Sequence, residues 1–212
     1  MSQPYMEQSG DGDLLWVTTL GGPHIVIPES VCRYWNGVPE DYPNDDDDEG
    51  DYGRAGEVDG YIGLIDVGPD KALVLGDYPA GTTFLPGHNI FVRWIAADSD
   101  ADILQAATNM VGSAQWEEEL VWDIREPVIL FDSVHGYDYI RSEEHLRVDL
   151  PPGRYTVRAA YAQTEAADMV IVQLYGGSDP AGYVRDDLQV STLEYMYRGS
   201  SELLSTPGTQ CS

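Results

Sequence analysis

The sequence predicts an α+β fold that is mainly β: antiparallel sheets in a hairpin meander, one clear helix at about residues 99–111, and a second half that is β-sandwich-like. Three observations predict it. Short runs rich in Val, Ile, Thr and aromatic residues recur along the chain, punctuated by Gly, Pro and Asp clusters. Only one segment spaces its apolar residues convincingly at helical intervals. A hydrophobic fraction of 42% with 10% aromatics gives the chain a core that a disordered acidic polymer lacks.

The first strand signals, Leu14 to Leu20 and His24 to Ile27, flank Gly21-Gly22-Pro23, so a hairpin is expected. Pro28 to Trp35 predicts a short helix with Val31, Tyr34 and Trp35 on one face. From Gly37 to Gly53 the apolar residues thin out and acids crowd in, which predicts an exposed loop. Tyr61 to Val67 and Lys71 to Leu75 form a second hairpin around Gly68-Pro69-Asp70, and Thr82 to Leu85 and Ile90 to Ala96 extend the meander.

Asp98 or Ser99 caps a helix in which Ile103, Leu104, Ala107 and Val111 share a face and Gly112 ends it. Trp116 to Ile124 holds three consecutive glutamates but sits between that helix and a strand, and an edge strand is expected. Val128 to Phe131, His145 to Leu150, Arg154 to Ala162 and Met169 to Leu174 are strands, with a tight turn at Pro151-Pro152-Gly153. Tyr155, Val157, Ala159 and Tyr161 alternate with Thr156, Arg158 and Ala160, so one face of that strand is buried. The expected organisation is a disordered amino terminus at 1–13 and a β-rich domain at 14–125 carrying the acidic loop 37–53. A β-rich module at 126–198 packs on it, and a flexible tail spans 199–212.

Charge narrows the partners. Lys plus Arg number 11 against 37 Asp plus Glu, a formal charge of −26. Such a surface repels phosphate, which argues against direct contact with nucleic acid or an anionic membrane and favours a basic protein. No apolar run approaches the length of a membrane helix, and Met1 to Asp13 has neither the basic nor the apolar character of a signal or transit peptide. Cytoplasm is the expected compartment, with Cys32 and Cys211 as reduced thiols.

Motifs for chemistry are missing. There is no G-x-x-x-x-G-K-[ST], G-x-G-x-x-G or G-x-S-x-G. His24, His88, His135 and His145 are scattered, so neither a metal nor a cofactor is expected. Asp45-x-Asp47-x-Glu49-Gly50 resembles half an EF-hand loop, but the twelfth position is Gly56 instead of a bidentate glutamate. Trp16, Trp35, Trp94, Trp116 and Trp122 suit either a core or a ligand groove.

Trp16 to Pro28, with Gly21-Gly22-Pro23-His24 at its centre, resembles the start of the immunity protein 21 family of bacterial polymorphic toxin systems. In the same order, Asp51-Tyr52-Gly53-Arg54-Ala55, Ala72 to Pro79, Thr83 to Pro86, Val92-Arg93-Trp94, Asp132-Ser133 and Leu150 to Tyr155 are similar to later family segments. Gly56 stands where the family often has Cys. The resemblance implies a cytoplasmic protein, not an enzyme, that binds and neutralises a cognate toxin. It also implies that the motif residues are structural, with the interface in variable loops.

The leading reading is therefore stoichiometric inhibition of a basic toxin; the alternatives are a carbohydrate or small-ligand binding β module and an acidic hydrolase. The interface is predicted at Asp45, Asp46, Asp47, Asp48, Glu49 and Asp51, with Tyr52 as aromatic anchor. Eight acids lie between Glu40 and Asp51 and 29 elsewhere, so the loop focuses a field that the whole chain generates.

Overall fold

Alternation along a strand sends side chains to opposite sides of a sheet, and this protein covers both sides. The computed structural model describes residues 14–19, 21–42, 49–76, 81–140 and 142–177. All of them belong to the unit Met1–Pro180. The strands are β1 (His24–Pro28), β2 (Ile62–Val67), β3 (Asp70–Leu75), β4 (Thr82–Leu85), β5 (Ile90–Ala97), β6 (Glu118–Ile124), β7 (Val128–Asp132), β8 (His145–Val148), β9 (Gly153–Gln163) and β10 (Ala167–Gly176). They form two antiparallel five-stranded sheets, β2-β3-β1-β7-β8 and β4-β5-β10-β9-β6. The fold is α+β and mainly β, as the sequence predicts.

Between the sheets lies the largest apolar cluster. Val26, Leu73, Leu75, Val128 and Leu130 of the first sheet meet Phe84, Phe91, Trp122, Val157, Val170 and Val172 of the second. The intervening residues face outward and are buried again. Ile25, Ile27, Val74, Ile129 and Phe131 pack under a 3-10 segment (Glu29–Tyr34) and two short helices, α1 (Gly50–Gly56) and α3 (Tyr137–Ile140). Ile90, Val92, Ala160 and Ile171 pack under α2 (Asp100–Met110). The order of layers is short helices, sheet, sheet, helix. Each fully buried aliphatic side chain contributes about 1.5–3 kcal/mol, so most of the stability resides in these three clusters.

Helix α2 starts where the sequence places it. Ser99 is extended, its hydroxyl accepts the Asp102 backbone N–H, and Ile103, Ala106 and Ala107 are buried. The three glutamates belong to the second sheet's edge. Glu117 accepts the Tyr161 N–H at 3.1 Å, Glu118 accepts the N–H groups of Tyr61 and Ile62, and Glu119 stands opposite Arg158. Carboxylates here occupy donors that a neighbouring strand would otherwise take.

Four expectations change. Leu14 to Leu20 does not form a hairpin with His24 to Ile27. Val17 instead exchanges both backbone bonds with Thr82 at 2.9 and 2.8 Å, while β1 runs between β3 and β7. The segment after β1 is 3-10, and Tyr34 is exposed while Val31, Cys32 and Trp35 are buried. The acidic stretch ends in α1, so residues 50–53 are helical and half-buried instead of an exposed loop. Pro151-Pro152 does not close a hairpin either, because β8 lies in the first sheet and β9 in the second. Tyr155 seals that crossing by donating its hydroxyl to the Pro151 carbonyl at 2.6 Å. Each sheet takes strands from both sides of residue 125.

Candidate protein-docking face

The segments that carry the family resemblance converge inside the molecule. His24 and Arg93, both fully buried, take inward positions in β1 and β5 by alternation with Val26 and Phe91. The His24 Nε2 bonds the Val17 carbonyl at 2.9 Å, and its Nδ1 lies 3.3 Å from the Thr82 hydroxyl, which joins the two sheets. Arg93 donates to the Gly76 carbonyl, and Ser133 donates its hydroxyl to the Pro23 carbonyl at 2.6 Å. Burial, reinforced by the Arg93 charge, lowers the His24 pKa to about 3, so the imidazole is neutral at pH 7. Each of these side chains bonds another of this node or the backbone. It is a fastener between sheets.

Asp51-Tyr52-Gly53-Arg54-Ala55 is equally inward in its commitments. Asp51 accepts the Asn36 backbone and side-chain N–H groups at 2.8 and 3.0 Å and pairs with Arg54 at 2.7 Å. Arg54 also donates to the Asp66 carbonyl, and Ala55 is buried. Tyr52 is half-buried with its ring over Gly22, where a Cβ would come within 2.5 Å of it. Glu49 accepts the Tyr42 hydroxyl at 3.1 Å, closing the base of the acidic segment. Asp45, Asp46, Asp47 and Asp48 lie outside the described residues. Of the predicted interface residues, Asp51 bonds Asn36 and Arg54, Tyr52 packs its ring over Gly22, and Glu49 accepts the Tyr42 hydroxyl.

What this scaffold presents outward is a shelf of tyrosines. Trp35 is buried and donates its indole N–H to the Ser133 carbonyl at 3.1 Å, and its own carbonyl receives the Tyr137 N–H at 2.9 Å. Val38 bonds the Val134 carbonyl, and Tyr52 N–H bonds the Gly37 carbonyl. Gly37 has φ +64°, and a Cβ there would lie 2.4 Å from the Val134 carbonyl, so only glycine allows the approach. Segments 34–42, 49–56 and 133–140 are therefore locked side by side. Four of the six large exposed apolar side chains among the described residues belong to them: Tyr34, Tyr42, Tyr137 and Tyr139. No sequence motif marks them; the signal available was tyrosine beside acid in the short stretch Tyr137-Asp138-Tyr139.

Among the described residues no group of three or more His, Cys, Asp or Glu side chains is placed to hold a metal. Trp35 and Trp122 are buried, Trp16 and Trp94 pack edge to face at 5.1 Å, and Trp116 lies under the Arg158 guanidinium at 4.2 Å. Cys32 is a buried thiol with its pKa pushed up to about 12, first by burial and then by Glu29 and Glu126. Cys211 lies outside the described residues. No helix among the described residues is long and apolar enough to cross a membrane.

The model of the immunity protein 21 family matches residues 15–168, which takes in the whole first sheet, β4, β5, β6 and β9 of the second, the first two residues of β10, and every fastening contact described above. The chain belongs to the immunity protein 21 family. Comparison with curated proteins and with solved structures returns no match. Membership makes this chain an immunity protein of a toxin system. In this immunity protein the motif segments supply fasteners of the sandwich, while the exposed tyrosines Tyr34, Tyr42, Tyr137 and Tyr139 lie between those segments.

Proposed function

We propose that this chain binds a cognate toxin with a basic surface and neutralises it stoichiometrically, acting in the cytoplasm of the cell that makes the toxin. Family membership supplies the partner class. The observation that supports the mode of capture is the charge of −26, concentrated but not confined to the stretch from Glu40 to Asp51. Long-range attraction raises the encounter rate with a cationic surface, and short-range pairing with its Arg and Lys side chains then slows dissociation. Blocking substrate access to the toxin requires no catalysis.

The test uses the product of the neighbouring toxin reading frame. Its activity should fall linearly with added immunity protein and vanish at equimolar ratio. Because screening acts beyond roughly 8 Å at physiological ionic strength, association should slow by about tenfold or more between low and high salt. Persistent toxin activity in molar excess of this chain would overturn the reading, and a salt-independent association rate would remove electrostatic capture from it.

A further inference from the structure

The proposed neutralisation needs an anchor as well as a field, and we infer that Tyr137 and Tyr139 are that anchor, docking a cationic protein surface onto the shelf formed by the 3-10 segment, α1 and α3. The inference rests on the toxin-binding reading above.

Exposure selects the residues. Tyr139 is 53% exposed and Tyr137 36%, on a helix whose Ile140 is buried in the outer cluster of the first sheet. Scattered exposed apolar residues are ordinary, but Tyr137 and Tyr139 are two exposed rings on a single four-residue helix. Other exposed rings are already occupied. The Arg33 guanidinium lies 5.0 Å over Tyr34, and Arg158 lies 5.4 Å over Tyr175 on the second sheet. Tyr42 donates to Glu49.

Rigidity favours the same place. Tyr137 N–H is held by the Trp35 carbonyl, Tyr139 N–H by the Gly136 carbonyl, and the Ser142 hydroxyl returns to the Tyr139 carbonyl at 2.9 Å. A Cβ on Gly136 would lie 2.6 Å from the Asn36 carbonyl, so the chain beneath the tyrosines fits without slack. Pre-organised tyrosines lose little entropy on binding and are enriched among the residues that dominate interface energies.

Charge complementarity names the occupant. Among the described residues of 33–57 and 133–144, eight acids stand against two arginines, and Asp138 stands exposed between the two tyrosines. Arg54 is neutralised by Asp51. Tyrosine rings beside carboxylates suit Arg and Lys, whose charge lies over a ring while their donors reach the acids. The partner is accordingly an Arg/Lys-rich protein surface, met outside the motif segments, where partner choice is set.

The experiment measures affinity for the neighbouring-frame toxin, inactivated at its active site, by titration calorimetry. The double variant Tyr137→Ala/Tyr139→Ala should weaken binding by about thirtyfold or more with unchanged circular dichroism, since both rings are exposed. Tyr175→Ala, at the most exposed tyrosine of the opposite sheet, should bind as wild type. Binding of the double variant within twofold of wild type would overturn the inference and leave the proposed function standing. Failure of the wild-type chain to bind would overturn both. A concentration-dependent dimer abolished by the same double substitution would assign the face to a second copy and overturn it as well.

Discussion

The two outer faces of the sandwich are closed in opposite ways. Over the second sheet lies one amphipathic helix, α2, capped by Ser99 and seated on Ile103, Ala106 and Ala107. Over the first sheet lies a patchwork of a 3-10 segment, the seven-residue α1 and the four-residue α3, joined through Asp51, Gly37 and Trp35. A continuous helix carries its own hydrogen bonds and needs only a face to pack. Short pieces cannot, because a nucleus costs more than a turn or two returns, so their backbone groups are satisfied by one another across the chain. The patchwork therefore presents loops and tyrosines at fixed positions, and the helix presents a cover.

Trp35→Ala is the largest test of that contrast. It opens a cavity beneath three segments at once and strips the Ser133 carbonyl of its indole donor, with an expected cost of about 3–5 kcal/mol in denaturant unfolding. Ile103→Ala beneath α2 should cost about 2–4 kcal/mol by the transfer and cavity terms alone. The functional outcomes should separate further. At a temperature where both variants remain folded, Trp35→Ala should lose toxin affinity and Ile103→Ala should keep it. Equal losses would mean that the two covers are equivalent.

The same contrast decides what the sequence reveals. Helix α2 is legible because a cap, a 3-4 spacing and a terminating glycine all sit within it. The helix Gly50–Gly56 reads Gly-Asp-Tyr-Gly-Arg-Ala-Gly, whose glycines oppose helix formation, and it exists because Ala55 is buried and Arg54 reaches the Asp66 carbonyl. Strand hairpins with two-residue loops, such as β2 and β3, were equally local and equally legible. The hairpin expected across Gly21-Gly22-Pro23 failed because Val17 is claimed by Thr82 and His24, a long-range choice that no local pattern encodes. Pro151-Pro152 carries the same turn signal whether the chain returns to its own sheet or crosses to the other. For the proposed docking face, charge pointed to the region, while the half-burial of Tyr52 depends on Gly22, thirty residues away in sequence, whose missing side chain leaves room for the ring.

His24 joins the two sheets beneath both covers and gives the next effect in size. Its folded pKa of about 3 lies below the ordinary 6.5, so the unfolded chain binds more protons between those values. Stability is complete above about pH 6.5, falls as pH drops through this window, and loses nothing more to this group below about pH 3. Between pH 7 and pH 5 the loss attributable to His24 should be roughly 2 kcal/mol. His24→Gln should be less stable at pH 7, where it disturbs the bonds to Val17 and Thr82, yet show a shallower decline on acidification. Parallel stability curves for the two proteins from pH 7 to pH 5 would place the acid sensitivity elsewhere.

The smallest effect compares the two helix starts directly. Ser99 accepts the Asp102 N–H and donates its hydroxyl to the Asp102 carboxylate at 2.6 Å, a reciprocal cap that satisfies a backbone donor. The residue before α1, Glu49, makes no such bond to the helix and spends its carboxylate on Tyr42. Ser99→Ala should therefore cost about 1 kcal/mol in unfolding free energy while leaving toxin binding intact. Glu49→Gln keeps an acceptor for the Tyr42 hydroxyl and should change unfolding by less than about 0.5 kcal/mol, as surface substitutions away from caps and cores do, yet weaken toxin binding by removing one charge from the acidic segment. If Glu49→Gln destabilised the fold as much as Ser99→Ala, α1 would be a self-standing helix with its own cap, and the patchwork would lose the mutual support by which it fixes its surface.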